Sequence, residues 1–498
     1  MYGCTNRPAR VSIGPMSTSS ARRMTSSRDM QAFDTLLFRG EKHPRTRSML
    51  VAVCVLDRAP DHGQLAERLE RASRSALRLR QKVVSPSLAL LLPSWIVDPD
   101  FDLAHHLHFT RVRRGGTLQD VLDLVQQEVA IRLDPALPLW QARLVDGLRD
   151  GTAALIIKMS HAVADGVGTQ RLFDTIFEHE RDKPPGPMPE LPVPEDVTPE
   201  ELTREALDSG AVTLARGALG LWRGLAGIAG TVAASPRQSW QAVREYLASV
   251  QRLTRSQGLP APALRGRSAR RRCAAFDMPL DALKRAGKAS GASVNDVYLC
   301  GIATALHRYL DAVGMPVATL PIAVPVNLRR GHEPDAGNYF GAIGFALPVA
   351  AADPGERLVA IRDRMRRGRD ESALGLPQAL APLLARLPAP VADELVRRMP
   401  LPDIQASNVA GSAQPLYLAG ARVLRFWPFG PVPGVAAMFT MHSLDGVCHV
   451  GVNFDAAAIT RADLFAASLR RGFQETLALA GSRVPRLQAP LLGKEPAQ

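Results

Sequence analysis

The chain has 498 residues, 46% of them hydrophobic, which suits two or three domains or two similar halves better than one simple core. Sixty-one Lys and Arg against 48 Asp and Glu leave a net charge of +13, while aromatic residues make up only 5% and no basic stripe is interleaved with Phe or Tyr. Base-stacking platforms need that interleaving, so nucleic acid is excluded as a partner and the charge points to an anionic membrane surface or phosphate-bearing small molecules. The five cysteines lie far apart without a C-x-x-C pair, which indicates neither a disulfide framework nor a zinc site and fits a reducing cytoplasm.

Residues 1–28 carry Ser, Thr and Arg, no acidic residue and no apolar segment of the secretory type. That composition also resembles an organellar transit peptide. The reading adopted is a disordered tail, or a start assigned too early with Met16 or Met24 as alternatives, and 1–28 is set aside from the fold. From Met30 the pattern becomes globular, with a short helix over 32–38, a strand over 49–56 and a helix over 64–79. His105-His106-Leu107-His108 lacks i, i+4 spacing and a carboxylate or thiolate partner, so it reads as a strand with surface histidines and not as a metal centre. Helical spacing returns over 118–131, followed by Pro138-Leu139-Trp140 and a strand over 141–145, an alternation typical of mixed α/β layers.

An apolar run over 152–157 then forms a strand and leads into Lys158-Met159-Ser160-His161-Ala162-Val163-Ala164-Asp165-Gly166, with a helix over 167–177 behind it. A histidine at such a junction is held by the sheet yet open to a cleft, as a general base must be. Asp165, in a turn closed by Gly166, would anchor the loop without taking the proton. A histidine that merely hydrogen-bonds a strand end fits the same residues, and a bare H-x-x-x-D-G does not separate the two.

The Pro-rich run over 183–199 is a stiff extended linker that divides the chain near its middle. Helices fill 200–253, including the Ala-, Gly- and Leu-rich run 211–234, which Arg216 and Arg223 interrupt and which reads as an amphipathic or buried helix. A basic cluster over 265–272 precedes a strand over 273–278. Ser293 and Asp296 form a capping-box pattern at the start of a long helix. A strand over 319–328 ends near Arg329, Gly337-Asn338 lies in a loop before another apolar strand, and helices follow over 356–367 and 378–398. Four strand-like runs, 404–409, 416–426, 435–440 and 447–454, then complete the second sheet under a last helix, 462–480. His442-Ser443-Leu444-Asp445-Gly446 looks like a second H-to-D-G motif but is one residue too short, and its Asp-Gly pair reads as a type I′ hairpin. No G-x-G-x-x-G, Walker loop or G-x-S-x-G is present.

Taken together these residues resemble the bacterial wax ester synthase/acyl-CoA:diacylglycerol acyltransferases, within the superfamily of coenzyme A-dependent acyltransferases and condensation domains. Ser160 to Gly166 matches that family's H-H-x-x-x-D-G motif at every defined position but the first, where Ser160 replaces a histidine. Pro138-Leu139-Trp140, Asn295-Asp296-Val297, Gly337-Asn338, Ser407-Asn408-Val409, Leu416-Tyr417-Leu418-Ala419-Gly420 and Val452-Asn453-Phe454-Asp455 follow in family order. The resemblance implies an α/β fold of mixed sheets in two chloramphenicol-acetyltransferase-like halves facing each other across a channel. The halves would be 29–182 and 265–485, joined through the linker 183–199 and a helical connecting region 200–264, with 486–498 as a tail.

It also implies a long-chain acyl-CoA as co-substrate, no metal and no bound cofactor, and diacylglycerol or a fatty alcohol as acceptor, giving triacylglycerol or wax ester. His161 would be the base, Asp165 the loop anchor with Arg329 as its partner, and Ser160, Gly166, Trp140 and Asn338 would shape the substrate site. Asn295 is either the oxyanion donor or a helix-start residue, and Trp140 either lines the site or packs in the core. A cytoplasmic protein peripherally attached to the inner membrane or to lipid inclusions is implied, with room for a homodimer. Two alternatives remain at this point: a non-catalytic homologue that binds acyl-CoA or lipid, and an acyltransferase for a glycolipid, polyketide or amine.

Overall fold

The computed structural model describes residues 28–163 apart from 45 and 89, 172–208, 261–327, 340–350, 353–371, 380–388 apart from 383, 391, 394, 401–481, 484 and 486–495. Asp165, Gly166, Arg329, Asn338, the run 211–234 and most of the helix expected over 378–398 lie outside them.

Chain order is α1 (Ala32–Gly40), β1 (Met49–Leu56), α2 (His62–Ser75), β2 (Gln81–Val84), β3 (Ser94–Val97), β4 (Leu107–Gly116), α3 (Leu118–Ala130), β5 (Trp140–Leu148) and β6 (Ala153–Ser160). After the linker come β7 (Arg271–Pro279), α4 (Leu280–Ala289), α5 (Val294–Ala312), β8 (Thr319–Asn327), β9 (Phe340–Pro348) and α6 (Pro354–Arg369). β10 (Ile404–Val409), β11 (Tyr417–Leu418), β12 (Ala421–Phe429), β13 (Ala437–Leu444), β14 (Val447–Asp455), α7 (Ala462–Ala478) and β15 (Leu491–Leu492) complete it.

The strands form two mixed sheets and one short hairpin, β2-β3. The first sheet runs β11-β12-β1-β6-β5-β4 and the second β15-β7-β14-β13-β10-β8-β9. β1 and β6 sit at the centre of the first, where both faces are covered, so their sequences MLVAVCVL and AALIIKMS are nearly all apolar. The helices start where the sequence supplies caps. Asp61 accepts from the Gln64 N–H, Thr117 and Asp120 close a capping box on α3, and Ser293 and Asp296 close one on α5 as their spacing predicts.

The division between sheets departs from chain order. The run expected over 416–426 as part of the second sheet instead forms β11 and β12, and β12 pairs antiparallel with β1 of the first. Ala419 and Gly420, at φ 44° and 75°, make the tight hairpin between β11 and β12, and the Gly420 carbonyl accepts from Arg58 and Arg181. A strand's own residues state that it pairs but not with what, so this crossover is invisible to periodicity.

Two further contacts tie the halves. α3 lies against β7, where the Gln126 Oε1 accepts from the Cys273 N–H at 3.0 Å, and its Val121 and Val125 share a core with Val53, Ile156, Ala275 and Trp427. On the other side Asp277 of β7 accepts from Trp427 Nε1 and Arg425 Nε of β12 at 2.7 and 2.9 Å, with His449 Nδ1 at 2.8 Å. The linker is extended, as its prolines dictate, and is strapped down: Arg71 donates to the carbonyls of Gly186 and Pro187, and the Glu195 N–H donates to the Val97 carbonyl at 3.0 Å.

Candidate active site

Three backbone hydrogen bonds fix the turn that leaves β6. The Ser160 N–H donates to the Leu139 carbonyl at 3.1 Å, the His161 N–H to the Ser48 carbonyl at 2.9 Å, and the Val163 N–H to the Ser160 carbonyl at 3.1 Å. His161 is thus pinned to the strands on both sides of β6, half-buried at the point where the central strand ends. Ala162 and Val163 fall back into a small core with Phe38, Met49 and Leu139, which holds the turn against the body of the first half.

Ser160 is fully buried. Its Oγ accepts the Ala162 N–H at 3.1 Å and donates to Glu41 Oε1 at 2.5 Å. Glu41, which ends α1, is itself 1% exposed, and burial pushes its carboxyl up to about 8 against the opposing pull of Ser160, Arg132, Arg47 and Lys158. Sequence reasoning missed this residue: in Arg39-Gly40-Glu41-Lys42-His43 a glutamate reads as part of a solvated turn. Lys158, one turn of pleat before Ser160, is equally buried and pairs with Glu128 of α3 at 3.1 Å.

An apolar slot opens beside the turn, between the two sheets. Leu50, Ile157 and Met159 of the first sheet face Phe426 and Phe429 of the crossover strand, and Val409, Thr440 and His442 of the second sheet close the far wall. Met159, two residues before His161 in the chain, is the lining residue nearest to it in sequence. His442 contributes an uncharged wall: it stacks on Phe426 at 4.4 Å, and burial lowers its pKa to about 4. The turn behind it is the expected hairpin, with Asp445 and Gly446 both at positive φ, 47° and 78°. Gly451 lets the sheets close on this slot, since a Cβ there would stand 1.9 Å from the Pro428 carbonyl oxygen.

The remaining candidates distribute unevenly. Trp140 is 3% exposed, donates its indole N–H to the Leu79 carbonyl at 2.8 Å and stacks on His106, which places it in the core under α2. His106 corrects the expectation of surface histidines. It is 1% exposed between the rings of Phe101 and Trp140, and burial lowers its pKa. Asn295 is half-buried in the first turn of α5, next to a complete capping box made by Ser293 and Asp296. Among the described residues no three His, Cys, Asp or Glu side chains gather as a metal site, and no helix is long and apolar enough to cross a membrane. Asn453 and Asp455 serve the fold: Asn453 donates to the Gly430 carbonyl, and Asp455 accepts from Ser268 and Arg271.

Comparison with known proteins bears on the family and the fold. The wax ester synthase/diacylglycerol acyltransferase catalytic-domain description matches residues 29–298, and the corresponding C-terminal domain matches 336–476. A Mycobacterium tuberculosis protein named as a diacylglycerol O-acyltransferase is 42% identical over 461 residues, covering 93% of this chain and 94% of the relative. A second from the same organism, named likewise, is 33% identical over 382 residues, covering 75% and 81%. Among solved structures, the wax ester synthase/diacylglycerol acyltransferase of Marinobacter aquaeolei VT8 superposes with a TM-score of 0.61 at 22% identity, covering 91% of this chain and all of that one. The starter condensation domain of rhizomide synthetase, solved in complex with C8-CoA, gives a TM-score of 0.54 at 13% identity, covering 94% and 97%.

Proposed function

The chain belongs to the wax ester synthase/diacylglycerol acyltransferase family, and from that premise we propose that it moves a long-chain acyl group from acyl-CoA to the hydroxyl of diacylglycerol or a fatty alcohol, with His161 as general base. The observation that carries the assignment to His161 is its position: half-buried at the end of a central strand, in a turn that backbone hydrogen bonds to Ser48 and Leu139 hold from both sides. Fold alone would not carry it, since one architecture hosts many chemistries.

An alcohol is a weak nucleophile at neutral pH. The unprotonated nitrogen of His161 takes the acceptor's hydroxyl proton as that oxygen attacks the thioester carbonyl carbon. The carbonyl electron pair moves onto oxygen, and Asn295 is the proposed donor to that oxyanion. Collapse restores the carbonyl and breaks the carbon–sulfur bond, and the leaving coenzyme A sulfur takes the proton back from the imidazolium. No covalent acyl-enzyme is needed. Asp165 and Gly166 would set the far side of the turn, Asn338 would border the channel, and the apolar slot would take acyl or acceptor chain. Trp140 lies in the core under α2 and has a structural role.

The test is direct. Purified protein given acyl-CoA with diacylglycerol or hexadecanol should release free thiol and neutral lipid, and His161→Ala should lower that rate by about 10² to 10⁴, the range a positioned base supplies. Thiol release at the wild-type rate in His161→Ala would remove His161 from the mechanism. Acyl-CoA binding without thiol release across a panel of alcohols would favour a binding protein instead.

A further inference from the structure

Ser160 sits immediately before the proposed base, and its hydroxyl is buried within the protein against Glu41. A serine hydroxyl has one proton and two acceptor positions. Here the proton goes to Glu41 Oε1 and one acceptor position holds the Ala162 N–H, so the side chain spans the residue between them, His161. Glu41 is fixed in turn, because it closes α1 with its backbone N–H on the Leu37 and Phe38 carbonyls. We propose that Glu41 is a positioning residue for His161: its carboxyl group orients the Ser160 hydroxyl, and Ser160 fixes the backbone of the turn that carries the base. This rests on the acyltransfer reading above.

The groups facing the carboxyl give the link a dependence on pH. Arg47 precedes β1, Arg132 follows α3, Lys158 of β6 pairs with Glu128 of α3, and His161 is in the turn itself. While Glu41 is neutral, its oxygen accepts one hydrogen bond and leaves these cations where the fold holds them. Once ionised, it is a stronger acceptor for the Ser160 hydroxyl and also attracts Arg132, Arg47 and Lys158, so the forces on the turn that carries His161 change with its charge. Burial delays that event to the alkaline side, at about pH 8.

Glu41→Ala and Ser160→Ala should each lower kcat by ~10- to 100-fold, the scale of a small misplacement of a catalytic group, with KM for acyl-CoA changed less than about twofold. The double variant should lose no more than either single, because both break one link. Glu41→Gln keeps a neutral acceptor, so it should retain kcat near neutrality and lack the alkaline change in kcat expected of the wild type as Glu41 ionises at about pH 8. Histidine-ring NMR reads the same link without turnover: the His161 resonance should show an alkaline inflection in the wild type that Glu41→Gln lacks. Should Glu41→Ala not fold, Ser160→Ala and Glu41→Gln still decide the matter. Superimposable kcat–pH profiles and superimposable His161 titrations for wild type and Glu41→Gln would overturn the inference. A wild type that releases no thiol would overturn the acyltransfer reading instead, and leave the NMR comparison to judge the link.

Discussion

Burial keeps the Glu41 carboxyl protonated to about pH 8, whereas in an unfolded chain it ionises near 4.5. Between those values the folded protein binds one proton more than the unfolded chain. The stability Glu41 contributes is therefore full below 4.5 and is lost as the pH rises through about 8. Glu41→Gln cannot ionise in either state, so its Tm should fall less steeply than that of the wild type across this interval, leaving it the more stable protein, by a few kcal/mol on the scale of about 1.4 per pKa unit, at the alkaline end. Thermal melts in buffers from about pH 5 to about pH 9 measure this, and equal slopes would mean that Glu41 is ionised in the native protein. What sequence could reveal at this scale followed from how local the chemistry is. Asp445-Gly446 declared its turn because both φ angles are set within the dipeptide. His161 declared a role because its strand and turn are contiguous. Glu41 declared nothing: its burial comes from Ser160, 119 residues away, and Trp140 became a core residue through Leu79, 61 residues away.

Elements show the same boundary between local and distant causes. Periodicity places β1 at 49–56 and finds β6 over 152–157, short of its end at Ser160, because central strands covered on both faces are apolar throughout. The Ser293–Asp296 capping box locates the start of α5, and helical spacing locates α3, whose own capping box appears in the structure. Periodicity also finds the run that contains β12, and then assigns it to the wrong sheet, because pairing with β1 is decided by packing between halves. Three features hold β12 in place: its ladder to β1, the Asp277 carboxylate that gathers Arg425, Trp427 and His449, and the close approach of Pro428 to Gly451 of β14. Burial alone would raise the Asp277 pKa, but the hydrogen bonds from His449, Trp427 and Arg425 outweigh it and hold the carboxyl below its ordinary value. The last of the three features is the most specific. A methyl at Gly451 would meet the Pro428 carbonyl oxygen at 1.9 Å, and backbone on both sides leaves no flexible side chain to yield. Gly451→Ala should therefore destabilise the protein by about 1–3 kcal/mol, as overpacking does. Because Pro428, Phe429 and Gly430 also line the apolar slot proposed to take acyl or acceptor chain, thiol release should fall with it. Urea unfolding and the thiol assay on the same preparation check both, and an unchanged midpoint would mean that the sheets separate there without strain.

At the scale of the whole molecule, the proposed substrates determine where the protein must work. Diacylglycerol, fatty alcohols and their esters partition out of water, so acyl transfer to them takes place at a lipid boundary, yet among the described residues no helix can cross a membrane. The proposed mode of contact with that boundary is electrostatic, motivated by the excess of 61 cationic over 48 anionic side chains in the sequence. Each Lys or Arg near an anionic bilayer contributes about 1 kcal/mol, and that attraction decays within a Debye length, about 8 Å at physiological salt and about 3 Å at 1 M. Electrostatic attachment predicts co-sedimentation with vesicles rich in phosphatidylglycerol at low salt, progressive release as NaCl is raised towards 1 M, and little binding to phosphatidylcholine vesicles at any salt. If a buried apolar face inserted into the acyl layer instead, binding would persist at high salt and extend to the zwitterionic vesicles, because apolar burial is not screened by ions. Turnover should follow attachment. With diacylglycerol presented in phosphatidylglycerol vesicles, thiol release should fall over the same salt range that releases the protein, while a water-soluble short-chain alcohol, which needs no surface, should show no such fall. A parallel salt dependence for both acceptors would place the effect in the acyl-CoA site and not at the membrane.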